Sequence, residues 1–318
     1  MYLVTGAAGF IGYHVCKRLL EEGETVVGVD NLNDYYSVDL KLARLNNIEK
    51  YAKFSFCKID ICDREAVEKL FKERNFEKVI HLAAQAGVRY SIDNPYAYAD
   101  SNLMGMLTIL EGCRHHKIEH LIYASSSSVY GMNDKVPFSE DDRVDNPVSF
   151  YAATKKANEA MVASYSNLFG LKCTGLRFFT VYGPWGRPDM APMLFAKAIC
   201  YGEEIRIFNQ GNMLRDFTYI DDIIDGILSV INLNHRGHEL LNIGASKPTH
   251  LLDFVSNLEK NLGKVGKKNN YPMQPGDVEK TYADVRKLSK LTGYSPKITV
   301  DEGVKRFIDW FRSYEQNL

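Results

Sequence analysis

Short apolar runs alternate with longer amphipathic stretches along the first half of the chain. Residues 2–4 (Tyr-Leu-Val) lead into a helical pattern over 13–22, residues 25–29 into one that runs to about 50, and residues 54–60 into one over 63–74. A further apolar run at 78–84 precedes a long helical pattern from about 96 to 116, then a strand at 121–124 and a helix near 150–169. Strands that read as nearly continuous apolar runs are buried on both faces. Their regular alternation with helices predicts an α/β fold, a Rossmann-type doubly wound parallel sheet with its ligands at the carboxyl ends of the strands.

Beyond Gly170 the alternation loosens. Strands are expected at 174–179, 204–208 and 239–243, helices at 221–232, 249–262 and 300–314, a turn-rich loop at 180–188, and a solvated loop around Lys264, Lys267 and Lys268. The expectation is a nucleotide-binding domain over 1–176, rejoined by 216–247. A smaller α/β substrate-binding domain would be formed by 177–215 and 248–318.

Glycines punctuate the first strand-to-helix junction as Gly6, Gly9 and Gly12, followed within the turn by Phe10 and Ile11. One glycine permits the tight turn, one lets the backbone approach a pyrophosphate, and one allows close packing of helix on strand. The helix N-terminus then offers free N–H groups and a positive dipole end to an anion. The spacing is GxxGxxG, a variant of the usual dinucleotide fingerprint. Asp30, about 20 residues on, ends the second strand, where an acid accepts from a ribose 2′-OH and favours NAD over NADP. Asn31 and Asn33 follow it in a polar loop. Asp60, with Ile61, closes the third strand and either reaches the adenine or caps the next helix. Leu82, Ala83 and Ala84 end the fourth strand with the small residues that a close cofactor approach requires.

Composition narrows the partners. The 318 residues carry a formal net charge of −1 with 25% charged side chains, so no basic field argues for nucleic acid or an acidic membrane surface. No apolar run reaches the ~18 residues of a membrane span. Six cysteines show no metal spacing, which fits a reducing, cytoplasmic setting.

Two further features carry chemistry. Ser125 to Ser128 follow the strand at 121–124, and Tyr151 and Lys155 stand one helical turn apart. A serine run is ordinarily a turn, and the Tyr/Lys spacing also suits an unremarked amphipathic helix. On one helical face, however, an ammonium beside a phenol favours its ionised form.

Taken together, the glycine turn, Asp30, the serine run and the Tyr151/Lys155 pair resemble the extended short-chain dehydrogenase/reductases that epimerise, dehydrate or decarboxylate nucleotide sugars. The resemblance covers essentially the whole chain. It implies that Ser126 bonds the sugar 4-OH, that Tyr151 removes its proton while the C4 hydride passes to NAD, and that Lys155 holds the nicotinamide ribose and tunes the tyrosine. It further implies that Phe208 stacks on uracil, that Arg215 binds the diphosphate, and that the loop 272–278, with Asp277, covers the nucleotide ribose. Gln274 departs from the arginine that galactose-type members resemble at that point.

Ser127 and Ser128 follow Ser126 where dehydratases of the family carry Asp-Glu, and Ser128 stands where its decarboxylases carry Glu before the VYG. The segments 85–91 and 177–190, with Phe179 among their substrate-side residues, look most like the members that epimerise UDP-glucuronate at C4. Such a substrate implies a carboxylate anchor: Ser127, Ser128 and Thr180, with Arg187 or alternatively Arg89 adding charge. The resemblance also implies a homodimer paired through the helices near 96–116 and 150–169.

Overall fold

The computed structural model describes residues 1–274 and 276–315; Pro275, part of the loop expected over the nucleotide ribose, lies outside the described residues. Its centre is a seven-stranded sheet in which every pairing is parallel. In spatial order the strands are His238–Ile243, Cys173–Phe178, His120–Ser126, Lys78–His81, Tyr2–Thr5, Val26–Asp30 and Phe54–Lys58. Strand order reverses between Tyr2–Thr5 and Lys78–His81, and the crevice at such a switch point is where nucleotides bind in open α/β sheets. Leu3 and Val4 are buried among core residues from both sides of the sheet, the physical origin of the apolar runs in the sequence.

The flanking helices start where the sequence offers a cap. Ser37 accepts from the Leu40 N–H before helix Val38–Glu49, Asp63 from Ala66 before Arg64–Glu73, and Ser149 from Ala152 before Phe150–Phe169. Asp63, not Asp60, therefore caps the third helix. Gly9 heads helix Phe10–Glu21 with no side-chain cap, which leaves its first N–H groups facing the crevice.

Several expectations need correction. The helix expected from about 96 to 116 is broken in register: a turn at Pro95–Tyr98 passes through a π-helical stretch, Ala99–Met104, before regular helix Gly105–His115. The buried Asn102 accounts for it, because its side chain bonds Gln85 N, Gln85 O and Thr154 Oγ1 while its own carbonyl accepts from Asn158. The serine run is only half a turn, since Ser125 and Ser126 end a strand and Ser127–Tyr130 forms a single 3₁₀ turn. The lysine-rich segment expected as a loop contains a strand, Lys267–Tyr271, parallel to Glu204–Phe208. Four of its five residues are exposed, so it is held by its backbone ladder and carries no alternating pattern to read.

The remaining small sheets sit over the carboxyl ends of the main strands. Thr180–Tyr182, within the expected loop, pairs with Phe217–Tyr219, and Leu214–Arg215 pairs with Thr249–His250 and Lys280–Thr281. Helix Ala191–Tyr201 follows a proline-bearing loop; Pro192 sits in its first turn, where the missing N–H costs no bond. Among the described residues no helix is long and apolar enough to cross a membrane, and all six cysteines are free thiols.

Candidate active site and its cofactor cleft

A single cleft of about 1010 Å³ runs from the glycine turn across the strand ends to the small sheets. Every residue singled out from the sequence lines it, from Gly6, Gly9, Gly12, Asp30 and Asp60 at one end to Phe208, Arg215 and Asp277 at the other.

The glycine turn is shaped by contacts that a side chain would destroy. Gly6 has φ +72°, and a Cβ there would come within 2.8 Å of Ala83 N; a Cβ on Gly12 would lie 2.0 Å from Gly6 O. Thr5 Oγ1, 2.7 Å from His81 Nδ1, accepts from the N–H groups of Leu82 and Ala83, so the small residues after the fourth strand are held against the turn. Asp30 accepts from Ala8 N at 3.1 Å and Leu32 N at 2.9 Å. Burial pushes its carboxyl above the usual range, opposed by these N–H groups and by Lys41. Asp60 accepts from Asn31 Nδ2 and Cys62 N, which joins the loops after the second and third strands. A cradle with no room for Cβ atoms, an uncapped helix N-terminus and an acid at the second strand end fit the pyrophosphate and adenosine ribose of NAD.

Tyr151 and Lys155 project from the first turns of helix Phe150–Phe169 beside the end of the Ser126 strand. The Lys155 Nζ donates to Ala124 O at 2.9 Å and sits 6.0 Å from the Tyr151 ring centroid. Burial lowers Lys155 to about 8, with Glu159 pulling the other way. Burial also raises Tyr151 above its ordinary value, and Ser126 and Arg187 oppose the rise. The phenol is therefore raised overall, where the Tyr151/Lys155 spacing implied a lowering, because burial outweighs the groups that favour its ionised form. Ser126 Oγ donates to Ser128 Oγ at 3.0 Å and accepts from Ser128 N, tying the 3₁₀ turn to the strand end.

On the substrate side, Ser126 pairs in register with Phe178, so the segments that continue to Ser127–Ser128 and Phe179–Thr180 leave the sheet side by side. Arg187 is already engaged: it bonds both Asp189 oxygens and the Ala86 carbonyl. Arg89 is half exposed, 3.4 Å from Asp277 and over the Phe208 ring at 5.2 Å, which sets it beside the residues expected to hold the nucleotide. Arg215 donates to the carbonyls of Leu214, Val278 and Glu279, and among the described residues no carboxylate pairs with it. Burial lowers its pKa, and the Asp277 carboxylate opposes the fall. The Gln274 amide oxygen, also in the cleft wall, is buried and has no hydrogen-bond partner among the described residues.

Several contributors escaped the sequence reading. Tyr35 bonds Asp189 across the cleft mouth. Arg44, fully buried, donates to Ala8 O in the glycine turn, to Tyr36 and to Trp185 O. Arg206 and Glu204 line the cleft with Phe208, and here a signal existed, because alternate residues of one strand share a face.

A parallel doubly wound sheet with a Cβ-free glycine cradle at its switch point, a serine at a strand end and a Tyr/Lys pair on the helix beside it defines a dinucleotide-dependent enzyme of the short-chain type. The profile of the NAD dependent epimerase/dehydratase family matches residues 2–244, and the chain belongs to that family. It is 45% identical to a UDP-glucuronate 4-epimerase of Thermodesulfobacterium geofontis over 97% of this chain and 95% of that one. Its fold superimposes on the UDP-glucuronic acid 4-epimerase of Bacillus cereus, solved with UDP-glucuronic acid and NAD, with a TM-score of 0.93 and 36% identity over 98% and 99% of the two chains. A UDP-glucose 4-epimerase of Thermotoga maritima gives a TM-score of 0.90 at 33% identity, covering 99% of each chain.

Proposed function

We propose that the chain is a UDP-glucuronate 4-epimerase that interconverts UDP-glucuronate and UDP-galacturonate, working in the cytoplasm with NAD retained through turnover. The observation that carries this reading is the side-by-side exit of Ser127–Ser128 and Phe179–Thr180 next to Ser126, which makes a wall of hydroxyls with no carboxylate where elimination of water would need one. The named relatives support the same substrate.

In this mechanism Ser126 bonds the sugar 4-OH and Tyr151 takes its proton. Lys155 keeps a positive charge beside the phenol and holds the cofactor ribose. NAD, when bound, supplies a positive ring that favours the phenolate and an acceptor for the C4 hydride, which it later returns. The sugar turns between the two transfers, so the hydride re-enters on the opposite face and C4 is inverted. Phe208 and Arg215 hold the uracil and diphosphate during that turn, with residues 177–215 and 248–318 forming the sugar-nucleotide side of the cleft.

The 4-keto uronate formed on the way is a β-keto acid and loses CO₂ when its C5–C6 bond stands perpendicular to the carbonyl plane. Ser127, Ser128 and Thr180 hold the carboxylate away from that geometry. Arg187 contributes through a guanidinium that Asp189 already fixes in place. Hydrogen bonds to a charged group contribute about 1.5–3 kcal/mol each. Thr180→Ala and Arg187→Ala should therefore weaken UDP-glucuronate binding roughly tenfold or more, and both should release CO₂ and a UDP-pentose alongside UDP-galacturonate. Product analysis by NMR checks this, and unchanged affinity with no pentose in either variant rules out the anchor.

UDP-glucose and UDP-N-acetylglucosamine are the rival substrates, and the fold match to a UDP-glucose 4-epimerase keeps them in the panel. Parallel incubations should show UDP-glucuronate turning over fastest; a clear preference for a neutral sugar would replace it. The enzyme should also be a homodimer. Exposed apolar side chains sit on the two helical segments expected to pair, Tyr96 and Met104 on one and Phe150, Leu168 and Phe169 on the other. Sedimentation at micromolar concentration should give twice the chain mass; a monomer would contradict the pairing.

A further inference from the structure

The ion pair between Glu159 and Arg177 takes no part in the chemistry above, yet its side chains are only 3% and 2% exposed and it lies directly behind the reacting residues. Glu159 follows Lys155 by one helical turn, so the two share a helix face. It accepts from Arg177 Nε at 2.8 Å, Arg177 Nη2 at 2.9 Å and Ser125 Oγ at 2.7 Å. Arg177 in turn donates to the Tyr130 hydroxyl at 3.0 Å, which donates to Asn242 at 2.7 Å. Ser125 and Tyr130 bracket the segment that carries Ser126, Ser127 and Ser128, and Lys155 bonds the carbonyl of Ala124 just before it. One buried pair thus grips both ends of the serine segment from one helical turn beyond Lys155. A buried ion pair is weak evidence for stability, because apolar residues of similar volume often serve as well. Its placement here calls for another reason.

We propose that Glu159, fixed by Arg177, is a positioning residue for the reaction: it clamps the serine segment at both ends and supplies the negative charge that keeps the Lys155 ammonium protonated in a dry site. The inference rests on the reading of Tyr151 and Lys155 given above. The titratable groups around the pair come from each packed element. Arg177 on Cys173–Phe178, Tyr123 on His120–Ser126 and His238 on His238–Ile243 face Glu159; His81 on Lys78–His81 and Tyr151 face Lys155. Burial pushes Tyr123 well up and holds His238 and His81 down, and Tyr151 is also raised, so all four are neutral near pH 7. The charges that remain at the pair are Lys155, Glu159 and Arg177, with Arg187 acting on Tyr151 and Asp142 facing Arg177. Burial works against the lysine's charge, and Glu159 is the group that opposes it.

Glu159→Gln keeps the shape and the acceptor for Ser125 while it removes the charge. In protein labelled with ¹³C at lysine Cε, with the Lys155 signal assigned from Lys155→Met, the Lys155 titration midpoint should fall by about one pH unit or more. The alkaline limb of kcat should move down with it. Glu159→Asp, which keeps the charge, should return the midpoint most of the way. Should Glu159→Gln leave Arg177 stranded and fail to fold, Arg177→Met keeps the carboxylate and removes the cation that offsets it, and its midpoint should lie above the wild-type value. An unchanged midpoint in whichever variant folds overturns the proposal. The NMR titration holds whatever sugar is turned over, so its failure is distinct from failure of the epimerase reading, which would show as no epimerisation by the wild-type protein.

Discussion

Tyr151→Phe should lower kcat for epimerisation by about 10² to 10⁴-fold, the usual worth of a positioned general base, with little change in bound NAD or in substrate affinity. The helix that carries Tyr151 is set by the Ser149 cap, and its ring packs edge-on against Tyr98 at 6.0 Å. Phenylalanine keeps that packing and the fold. What it loses is the oxygen that Ser126 and Arg187 help to ionise. The site has no ready substitute, because Lys155 is bonded to a carbonyl, the serines are bonded to one another, and the hydroxyl of the nearby Tyr98 donates to Gly87 O. Steady-state kinetics with UDP-glucuronate, together with NAD content measured after acid release, separate the two outcomes; a variant with full kcat would remove Tyr151 from the mechanism.

The second large effect is expected from Gly12→Ala, which should cost the protein its cofactor. The added Cβ would fall 2.0 Å from Gly6 O and 2.7 Å from Gly6 C, both backbone atoms of the turn itself, so no side chain can move aside to make room. Gly6 has little room on its other side, where even an added Cβ would come within 2.8 Å of Ala83 N. Forced overpacking costs typically 1–3 kcal/mol, about tenfold to hundredfold in affinity. NAD that co-purifies with the wild type should be largely absent from the variant, and full occupancy would show that the turn is not the pyrophosphate cradle.

Much of the central sheet was legible because its inner strands, such as Tyr2–Thr5 and Cys173–Phe178, are buried on both faces and so read as apolar runs, while caps such as Ser37, Asp63 and Ser149 mark where helices start. Lys267–Tyr271 was not legible, since a polar edge strand held only by its ladder has no hydrophobic period. The π-helical stretch at Ala99–Met104 depends on bonds from Asn102 to residues 17 and 52 positions away, information that no local pattern holds. In the site, motif and resemblance named residues that share one cleft. They could not show that Asp189 engages Arg187, or that Lys155 points at Ala124 and leaves burial to govern Tyr151. Partners distant in sequence set those charges, and only folding brings them together.

Inversion at C4 by hydride removal and return is tested most directly in D₂O. Purified protein is incubated with UDP-glucuronate and no added NAD or reductant, and the sugar protons are followed by ¹H NMR. UDP-galacturonate should accumulate to equilibrium with protium retained at C4, because the hydride leaves and returns through the same bound cofactor. Deuterium at C4, a requirement for stoichiometric NAD, or release of free NADH would contradict it.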